Sequence, residues 1–266
     1  MAIAIAKARK AGVALVALKH AHHLGRIGDW AEACAAEGCA SIHFVNVVHA
    51  GGLVAPWGGR ERRMSTNPFC CAMPIEGREP IVLDFATSKV AEGKVQVARN
   101  KGVDLPPGCV VDGEGKPSLD PNDLYGPPPG ALAPFGDHKG YGLSLINEVV
   151  GGFIGGSLPT IRNRAAVPGE KQGCTFFFQV IHPDAVSGGA FAGGRSQAAN
   201  VKAVLADILG HGNEQCMLPG QLEAEAAARS DRAGGLLFSR AEIDALNEIA
   251  REAGEASIAI DTLKTV

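Results

Sequence analysis

Short apolar runs of strand length and helical spacing of apolar residues along the chain predict short strands interleaved with helices. A short connection, Pro74–Glu79, separates two of the strand-like runs and has the length of a hairpin, which predicts antiparallel pairing. Another run contains three consecutive phenylalanines and is expected inside a sheet. The runs of strand length are Val13–Leu18, Ser41–Val48, Phe69–Met73, Pro80–Phe85 and Cys174–Ile181.

Helical spacing of apolar residues occupies much of the remaining chain, and these elements together predict an α+β fold with a mostly antiparallel sheet. The predicted helices are Ala2–Lys10, Asp29–Glu37, a segment opened by Asp84–Ser88 that runs to about Asn100, a segment from Gly136–Leu143 to about Val150, Ser196–Leu209 and a helix after Ser239. The predicted caps are Asp29, Thr87 or Ser88, and Ser239 in a capping box with Glu242. The proline-rich stretch Lys101–Pro134 is predicted to be largely loop, either functional or covering a partner.

Composition narrows the class of protein. The chain has 266 residues, a net charge of −3 and a pI of about 6.2, whereas nucleic acids and anionic membranes select clustered Lys and Arg. No apolar run approaches the roughly 18–20 residues of a membrane span, and the first residues lack a secretory signal pattern. Seven cysteines form an odd number without paired spacing, which predicts reduced thiols. We therefore expect a cytoplasmic protein.

The stretch His20–Trp30 is the strongest candidate for chemistry. It holds three histidines and two glycines between a predicted strand and a predicted helix. Histidine titrates near neutrality, and a helix N-terminus favours an anion beside it. The same pattern fits a solvated turn, or a hydrolytic metal site formed by His20, His22, His23 and Asp29. The hydrogen-bonding partners that metal ligands need cannot be identified, and we expect no metal.

Three further stretches carry candidate binding residues. Asp84 at a strand end either binds a ribose hydroxyl or an amide, or caps a helix. Lys139 lies at a glycine-rich helix start, which suits a diphosphate. The cluster Arg60–Arg63 is either a solvated corner or a clamp for a carboxylate or phosphate.

Seven short motifs, taken in order, resemble the type-2 malate/L-lactate dehydrogenase family, which includes malate, sulfolactate and ureidoglycolate dehydrogenases and cyclic-ketimine reductases. Each motif alone is weak, but their order along nearly the whole chain is specific. The resemblance implies NAD or NADP bound on a fold that is not doubly wound. The sequence agrees, because no Gly-x-Gly-x-x-Gly follows a predicted strand with an acidic residue about 20 positions on. The motifs are His23–Gly28, Pro56–Gly59, Ser65–Pro68, Asp84–Ser88, Gly93-Lys94, His138–Gly142 and Pro219-Gly220.

The resemblance also implies roles for individual residues. His23 is implied to take or return the hydroxyl proton, with Lys94 as a second catalytic residue, while hydride passes between the nicotinamide and the 2-position of a small hydroxy acid. Thr66 is implied to contact the substrate, and Arg26 or the Arg60–Arg63 cluster to hold its carboxylate. The implied contacts with the dinucleotide are Leu24, Gly25, Ile27, Gly28, Asp84, Phe85, Ala86, Lys139, Gly140 and Gly220.

Three departures from the family pattern refine these expectations. Family members carry an N-terminal helical region with a Ser-His-Gly motif and an arginine, and this sequence is expected to lack that region. Asp137 stands where glycine is common, and its carboxylate beside Lys139 is expected to weaken phosphate binding. Lys94 stands where ketimine-reducing members have an aspartate, which favours hydroxy-acid oxidation.

The sequence thus predicts an NAD(P)-dependent dehydrogenase of malate-like or lactate-like 2-hydroxy acids. The alternative is a dinucleotide-binding or assembly subunit with impaired catalysis. Residues 38–183 are predicted to form a cofactor-binding domain, with 1–37 and 184–266 as a helical part for substrate binding and dimerisation. A homodimer is the family expectation, without nucleic acid or membrane as partner.

Overall fold

The computed structural model describes residues 1–47, 52–156, 173–188 and 192–263. The chain forms two compact units, Met1–Gly220 and Gln221–Val266. The helices of the first unit are α1 (Ala2–Ala11), α2 (Gly28–Ala36), α3 (Glu92–Lys101), α4 (His138–Asn147), α5 (Pro183–Ser187) and α6 (Gln197–Ile208). Its strands are β1 (Val13–Ala21), β2 (Ala40–Val47), β3 (Phe69–Ile75), β4 (Arg78–Phe85), β5 (Val110–Val111), β6 (Pro117–Ser118), β7 (Ala131–Leu132) and β8 (Cys174–Ile181). The second unit contains α7 (Gln221–Ala233) and α8 (Arg240–Glu252).

Five strands form the main sheet in the order β1-β8-β2-β3-β4, and every neighbouring pair is antiparallel. Phe177 on β8 lies opposite Ala17 of β1 on one side and Phe44 of β2 on the other, so β8 has a partner on each edge. The predicted α+β class, the hairpin between β3 and β4 and the interior position of β8 are confirmed. Val48, predicted as the end of β2, lies outside the described residues.

Helix α2 does not use its predicted cap. The N-cap position is Ile27, and no side chain of that position caps the helix. The backbone N–H of Gly28 instead donates to Oδ2 of Asp84 at 2.7 Å. Asp29 forms an ion pair with Arg26 at 2.8 Å. The local prediction was wrong because the end of β4 brings another carboxylate to the helix start.

Helix α3 begins later than predicted, at Glu92, and neither Thr87 nor Ser88 caps it. Thr87 is buried, and its hydroxyl donates to the carbonyl oxygens of Thr66 at 2.9 Å and Asn67 at 3.1 Å. This prediction was also wrong, because the hydroxyl forms long-range hydrogen bonds rather than a local one.

The stretch predicted as loop between Lys101 and Pro134 contains a small antiparallel sheet in the order β6-β5-β7. This sheet packs with α3 in a core of its own, because its short strands supply buried apolar side chains. The buried residues of this core are Val54, Met64, Val95, Ala98, Leu105, Cys109, Val110, Leu124 and Leu132.

Helix α4 continues into a π-helical segment, Glu148–Ile154. The segment lies over β2, where a Cβ on Gly151 would come within 2.9 Å of the backbone nitrogen of Asn46. Glycine permits this close approach. Helix α6 begins after Ser196, whose hydroxyl accepts a hydrogen bond from the N–H of Ala199 at 3.1 Å, close to the predicted boundary.

The opposite face of the main sheet packs against α1 and α2, and most of the apolar burial in the first unit is there. The core between α2 and the sheet contains Ile27, Ala31, Ala35, Val45, Cys70, Ala72, Val82, Phe176 and Phe178. The core under α1 contains Ala4, Ile5, Ala8, Ala14, Cys34, Cys39 and Val180.

In the second unit, α8 has the predicted capping box. Its two bonds join the N–H of Glu242 to the hydroxyl of Ser239 at 3.3 Å and the N–H of Ser239 to Oε2 of Glu242 at 2.6 Å. Across the described residues, no helix is both long and apolar enough to cross a bilayer.

The two compact units divide the chain at Gly220, which differs from the predicted division. Strand β1 lies within 1–37 and pairs with β8, so that segment completes the main sheet instead of forming a separate helical part. The functional roles predicted for 1–37, 38–183 and 184–266 stay predictions.

Candidate active site

The main sheet brings several predicted site segments to one edge. Because neighbouring strands are antiparallel, the ends of β1, β2 and β4 lie beside the starts of β3 and β8. Cys174 lies opposite Ala21 and Val47, and Phe69 lies opposite Phe85. The segments His23–Gly28, Thr66 and Asp84–Ala86 lie at or just beyond these strand ends, which explains how motifs distant in the sequence meet.

A cavity of about 660 Å³ lies at this edge, on the α2 side of the sheet. Val45, Val47 and Phe176 give it an apolar wall. Five predicted site residues line it: His23, Leu24, Gly25, Ile27 and Thr66. Its other polar or glycine residues include Arg62, Ser65, Glu92 and Gly93. The structure therefore joins the predicted proton-transferring residue and the predicted substrate contact in one space.

His23 is held through one ring nitrogen. The backbone N–H of Gly25 donates to its Nδ1 at 2.9 Å. A neutral imidazole that accepts at Nδ1 carries its proton on Nε2. Gly25 has a φ of 76°, which favours glycine, and apart from its chain neighbours no described atom lies within 4 Å of the position of its missing Cβ. The loop thus presents an Nε2–H donor beside open space.

Arg26 is engaged at the start of α2. Its Nη1 donates to Oδ1 of Asp29 and to Oε1 of Glu32, both at 2.8 Å. Burial by itself lowers the pKa of Arg26, but the hydrogen bonds with Glu32 and Asp29 outweigh burial and hold this pKa above its usual value. Gly28 lies against the guanidinium, since a Cβ there would be 2.6 Å from the Cζ of Arg26. A substrate carboxylate at Arg26 would compete with two protein carboxylates.

A buried polar network positions Thr66. Its carbonyl oxygen accepts hydrogen bonds from the backbone N–H and the hydroxyl of Thr87, each at 2.9 Å. The next residue, Asn67, is fully buried and donates from Nδ2 to Oε2 of Glu148 at 2.7 Å. The carbonyl oxygen of Asn67 accepts from Nδ2 of Asn147, also at 2.7 Å. Networks of this kind fix one conformation, because an unmade bond in the interior is costly.

The predicted dinucleotide contacts on β4 and α4 are connected through Phe135. The ring of Phe85 packs edge to face on that of Phe135, with centroids 5.1 Å apart. The carbonyl oxygen of Phe135 accepts from the N–H of Gly140 at 2.9 Å, and a Cβ on Gly140 would lie 2.2 Å from this oxygen. Gly140 therefore allows close packing at the start of α4. Lys139 is exposed on the same turn, and Ala86 is partly buried beyond β4.

The turn Pro219-Gly220 lies on edge strand β4. The N–H of Val82 donates to the carbonyl oxygen of Pro219 at 3.0 Å. Gly220 has a φ of 89°, and a Cβ there would meet the Cβ of Val82 at 3.0 Å. The turn is thus held two residues from Asp84.

Lys94 is exposed in the first turn of α3, immediately after Gly93 in the cavity lining. Arg62 and Glu92 were not singled out from the sequence, although both line the cavity. The available signals were the Arg60–Arg63 cluster for Arg62 and the adjacent Gly93-Lys94 motif for Glu92. Neither signal distinguishes a cavity residue from a solvated one.

The histidine-rich stretch does not gather metal ligands. Within the described ranges, no group of three or more His, Cys, Asp or Glu side chains is arranged to hold a metal ion. His20 and His22 are both exposed, whereas His23 faces the cavity with Gly25 as its partner.

Comparison with known proteins agrees with the geometry. The malate/L-lactate dehydrogenase family model matches residues 1–247. The chain belongs to the malate/L-lactate dehydrogenase family. The resemblance drawn from the seven motifs is therefore confirmed.

Relatives within the malate/L-lactate dehydrogenase family include hydroxycarboxylate dehydrogenase B of Escherichia coli, 49% identical over 160 residues that cover 60% of this chain and 44% of that protein. L-sulfolactate dehydrogenase of Methanocaldococcus jannaschii is 31% identical over 258 residues, 96% of this chain and 71% of that protein. The crystal structure of δ1-piperideine-2-carboxylate reductase from Pseudomonas syringae matches with a TM-score of 0.78 and 33% identity, covering 94% of this chain and 71% of that one. The chain thus spans less than half the length of the E. coli relative.

Proposed function

We propose that this chain is an oxidoreductase that transfers a hydride between NAD or NADP and a small 2-hydroxy or 2-oxo acid. The observation that carries the proposal is the cavity at the sheet edge, which His23, Gly25 and Thr66 line together. Family membership supports it, because relatives are named hydroxycarboxylate dehydrogenase and L-lactate dehydrogenase.

A nicotinamide dinucleotide fits the residues that are present. At Gly25 and Gly93, apart from adjacent chain, no atom of the described residues lies within 4 Å of a missing Cβ, so the backbone there borders open space. Leu24 and Ile27 add apolar surface for a flat ring. Lys139 is an exposed cation suited to a diphosphate, and no other described residue pairs with it. The proposed contacts are Leu24, Gly25, Ile27, Gly28, Asp84, Phe85, Ala86, Lys139, Gly140 and Gly220.

When bound, the dinucleotide supplies or accepts the hydride. His23 faces the substrate oxygen through Nε2. In the reduction the protonated ring would give its Nε2 proton to the 2-oxo oxygen, and in the oxidation the neutral ring would take the hydroxyl proton back at Nε2. Both directions require a proton on Nδ1, so the N–H of Gly25 must leave Nδ1 in each of them. Thr66 is proposed to contact the substrate, with Lys94 as a second catalytic residue. Either Arg26 or the Arg60–Arg63 cluster is proposed to hold the substrate carboxylate.

The proposal includes a dinucleotide-binding fold that is not doubly wound, with residues 38–183 binding the dinucleotide. The antiparallel main sheet supports it, because doubly wound folds are built on parallel strands. Residues 1–37 and 184–266 are proposed to serve substrate binding and dimerisation, and to add the dinucleotide contacts at Leu24, Gly25, Ile27, Gly28 and Gly220.

We also propose a homodimer in the cytoplasm. Exposed apolar side chains on α4 and the π-helical segment, among them Leu145, Val149 and Phe153, support association. All seven cysteines are free, which supports a reducing compartment. Light scattering that finds a monomer would contradict the dimer.

A panel of 2-oxo acids, each with NADH and with NADPH, tests the function through loss of the reduced nicotinamide absorbance. His23→Gln should lower kcat about 100-fold or more, while the Kd for the reduced dinucleotide changes little, because the ring acts on the substrate oxygen. The exposed histidine variant His211→Gln is the matched control. A wild-type chain that reduces none of the acids would contradict the function, and unchanged kcat in His23→Gln would remove His23 from its role.

The alternative, a dinucleotide-binding subunit without turnover, has no specific observation in its favour. It predicts that NADH or NADPH binds in a calorimeter while the same panel shows no reduction.

A further inference from the structure

Arg62 is a partly buried cation in the cavity lining, held by two backbone carbonyl oxygens. Its Nε donates to the carbonyl oxygen of Gly130 and its Nη2 to that of Leu124. In the part of the chain that the structure describes, no acidic side chain pairs with it. Burial lowers the pKa of Arg62, as expected for a cation removed from water without a counterion. An incoming anion would relieve that cost.

The two carbonyl bonds also orient the guanidinium of Arg62. They fix Nε and Nη2 and leave Nη1 without a partner among the described residues. A guanidinium held in this way can bind a carboxylate through two parallel hydrogen bonds. The Nη1 of Arg26, by contrast, is already bonded to Asp29 and Glu32.

Glu92 is the acidic side chain among the cavity residues that the structure describes. Its Oε1 accepts hydrogen bonds from the hydroxyl of Tyr125 and from Nε2 of Gln96, both at 2.9 Å. Tyr125 directly follows Leu124, whose carbonyl oxygen binds Arg62, so one short turn supports both charged side chains. A fixed carboxylate in the lining repels a second negative group on a ligand.

We propose that the cavity selects 2-oxo and 2-hydroxy monocarboxylic acids, with Arg62 binding the single carboxylate and Glu92 excluding a second acidic group. The proposal rests on the proposed dehydrogenase function and narrows its substrate class. The sequence left open whether Arg26 or the Arg60–Arg63 cluster holds the substrate carboxylate. Arg62, a member of that cluster, takes this role. Lactate-like acids with a neutral side chain fit this arrangement better than malate-like diacids.

The first arm of the test measures pyruvate reduction and calorimetric binding of oxamate, an unreactive 2-oxo monocarboxylate analogue, in the presence of NADH. Arg62→Gln should raise the KM for pyruvate about 30-fold or more and abolish oxamate binding, because one partner of a charged hydrogen-bonded pair is lost. The Kd for NADH should not change, and added guanidinium should restore part of the oxamate binding. The exposed arginine variant Arg78→Gln is the matched control.

Arg62 also holds two backbone carbonyls, so a melting curve accompanies each variant. Arg62→Lys keeps the charge and gives a second measure if Arg62→Gln does not fold. Its KM for pyruvate should still rise, because an ammonium cannot form the paired hydrogen bonds of a guanidinium. An unchanged KM in folded Arg62 variants, or a KM increase in Arg26→Gln alone, overturns the assignment.

The second arm compares pyruvate with oxaloacetate, a 2-oxo diacid. The wild-type chain should prefer pyruvate, and Glu92→Gln should raise kcat/KM for oxaloacetate relative to pyruvate by about tenfold, because the repelling charge is gone while the amide oxygen still accepts from Tyr125. A wild-type preference for oxaloacetate, or an unchanged ratio of the two kcat/KM values in Glu92→Gln, overturns the role of Glu92.

A wild-type chain that binds no NADH and reduces neither acid overturns the proposed function itself. Turnover whose KM for pyruvate is the same in the wild type and in the folded Arg62 variants overturns only the role of Arg62.

Discussion

The two faces of the main sheet are built on different chemistry. The face towards α2 is apolar, with Val45, Phe176 and Phe178 packed against the helix. The face under the π-helical segment carries the buried side chain of Asn46, and beside it Asn67 donates to Glu148 and accepts from Asn147. The difference separates two tasks, because apolar burial stabilises without fixing one geometry, whereas a hydrogen-bond network fixes geometry at little net gain in stability.

The two faces also contribute to the candidate site in different ways. The apolar face forms the cavity wall through Val45 and Phe176. The polar network reaches the site through the backbone, since Thr87 holds the carbonyl oxygen of Thr66. Substitutions on the first face should therefore change stability most, and substitutions in the second should change substrate binding more than stability.

Phe176→Ala should have the largest effect on stability. The ring is 1% exposed and stacks at 6.1 Å on Phe178, so its loss leaves a cavity that the sheet cannot close. The free energy of unfolding should fall by about 3–5 kcal/mol, measured by urea denaturation. The exposed variant Val97→Ala should change it by less than about 0.5 kcal/mol. A small effect of Phe176→Ala would mean that the apolar face is not the main source of stability.

The pH dependence of stability tests the same face through His43. Its ring is fully buried against Phe178, with Nε2 sharing a hydrogen bond with the hydroxyl of Ser41 at 2.8 Å, and burial lowers its pKa to about 4 from an ordinary 6.5. Between these two values the unfolded chain binds the proton that the folded chain excludes, so stability is present above pH 6.5 and is lost as the pH falls towards 4. The loss attributable to His43 should be about 3 kcal/mol.

Urea denaturation at several pH values measures this contribution. His43→Leu should flatten the pH dependence relative to the wild type by that amount, since the other titrating groups remain. Parallel pH curves for the two proteins would show that His43 is not buried in its neutral form.

Thr87→Val should have the smallest effect on stability and a larger one on function. The change keeps the shape of the side chain but removes the hydroxyl donor to Thr66 and Asn67, whose carbonyl oxygens keep other donors. Unfolding should be easier by only about 1–2 kcal/mol. The KM for the 2-oxo acid should nevertheless rise several-fold, because one of the two hydrogen bonds that hold the carbonyl oxygen of Thr66 is lost.

Thr87→Ser, which restores the hydroxyl, should recover the KM, and Thr262→Val in the second unit is the control for the chemical change. A KM that stays at the wild-type value in Thr87→Val would show that the network does not position Thr66.

Much of the secondary structure could be predicted from the sequence. The apolar runs Phe69–Met73 and Pro80–Phe85 with a short connection are sufficient for a hairpin, and the Ser239–Glu242 spacing is sufficient for a capping box, because both depend on contacts between residues close in the chain. The candidate site was reached through ordered motifs that include His23 and Thr66.

The errors have one physical cause. Asp29 and Thr87 have the residue types of helix caps, yet the helix start at Gly28 receives the carboxylate of Asp84, and Thr87 bonds to Thr66. In each case a long-range hydrogen bond takes the place of the local one, through Asp84 at the start of α2 and through Thr66 for Thr87. No local pattern contains that information.

The sequence by itself determined the strand and helix segments, the antiparallel hairpin and the family, since these follow from periodicity, short spacings and ordered motifs. Only the tertiary structure decided which arginine pairs with carboxylates and which bonds to backbone carbonyl oxygens among the described residues. Arg26 and Arg62 are the same residue type in the sequence. Arg26 bonds to Asp29 and Glu32, whereas Arg62 donates to backbone carbonyl oxygens. Whether an arginine can bind a ligand anion depends on its neighbours in space, and the tertiary structure determines those neighbours.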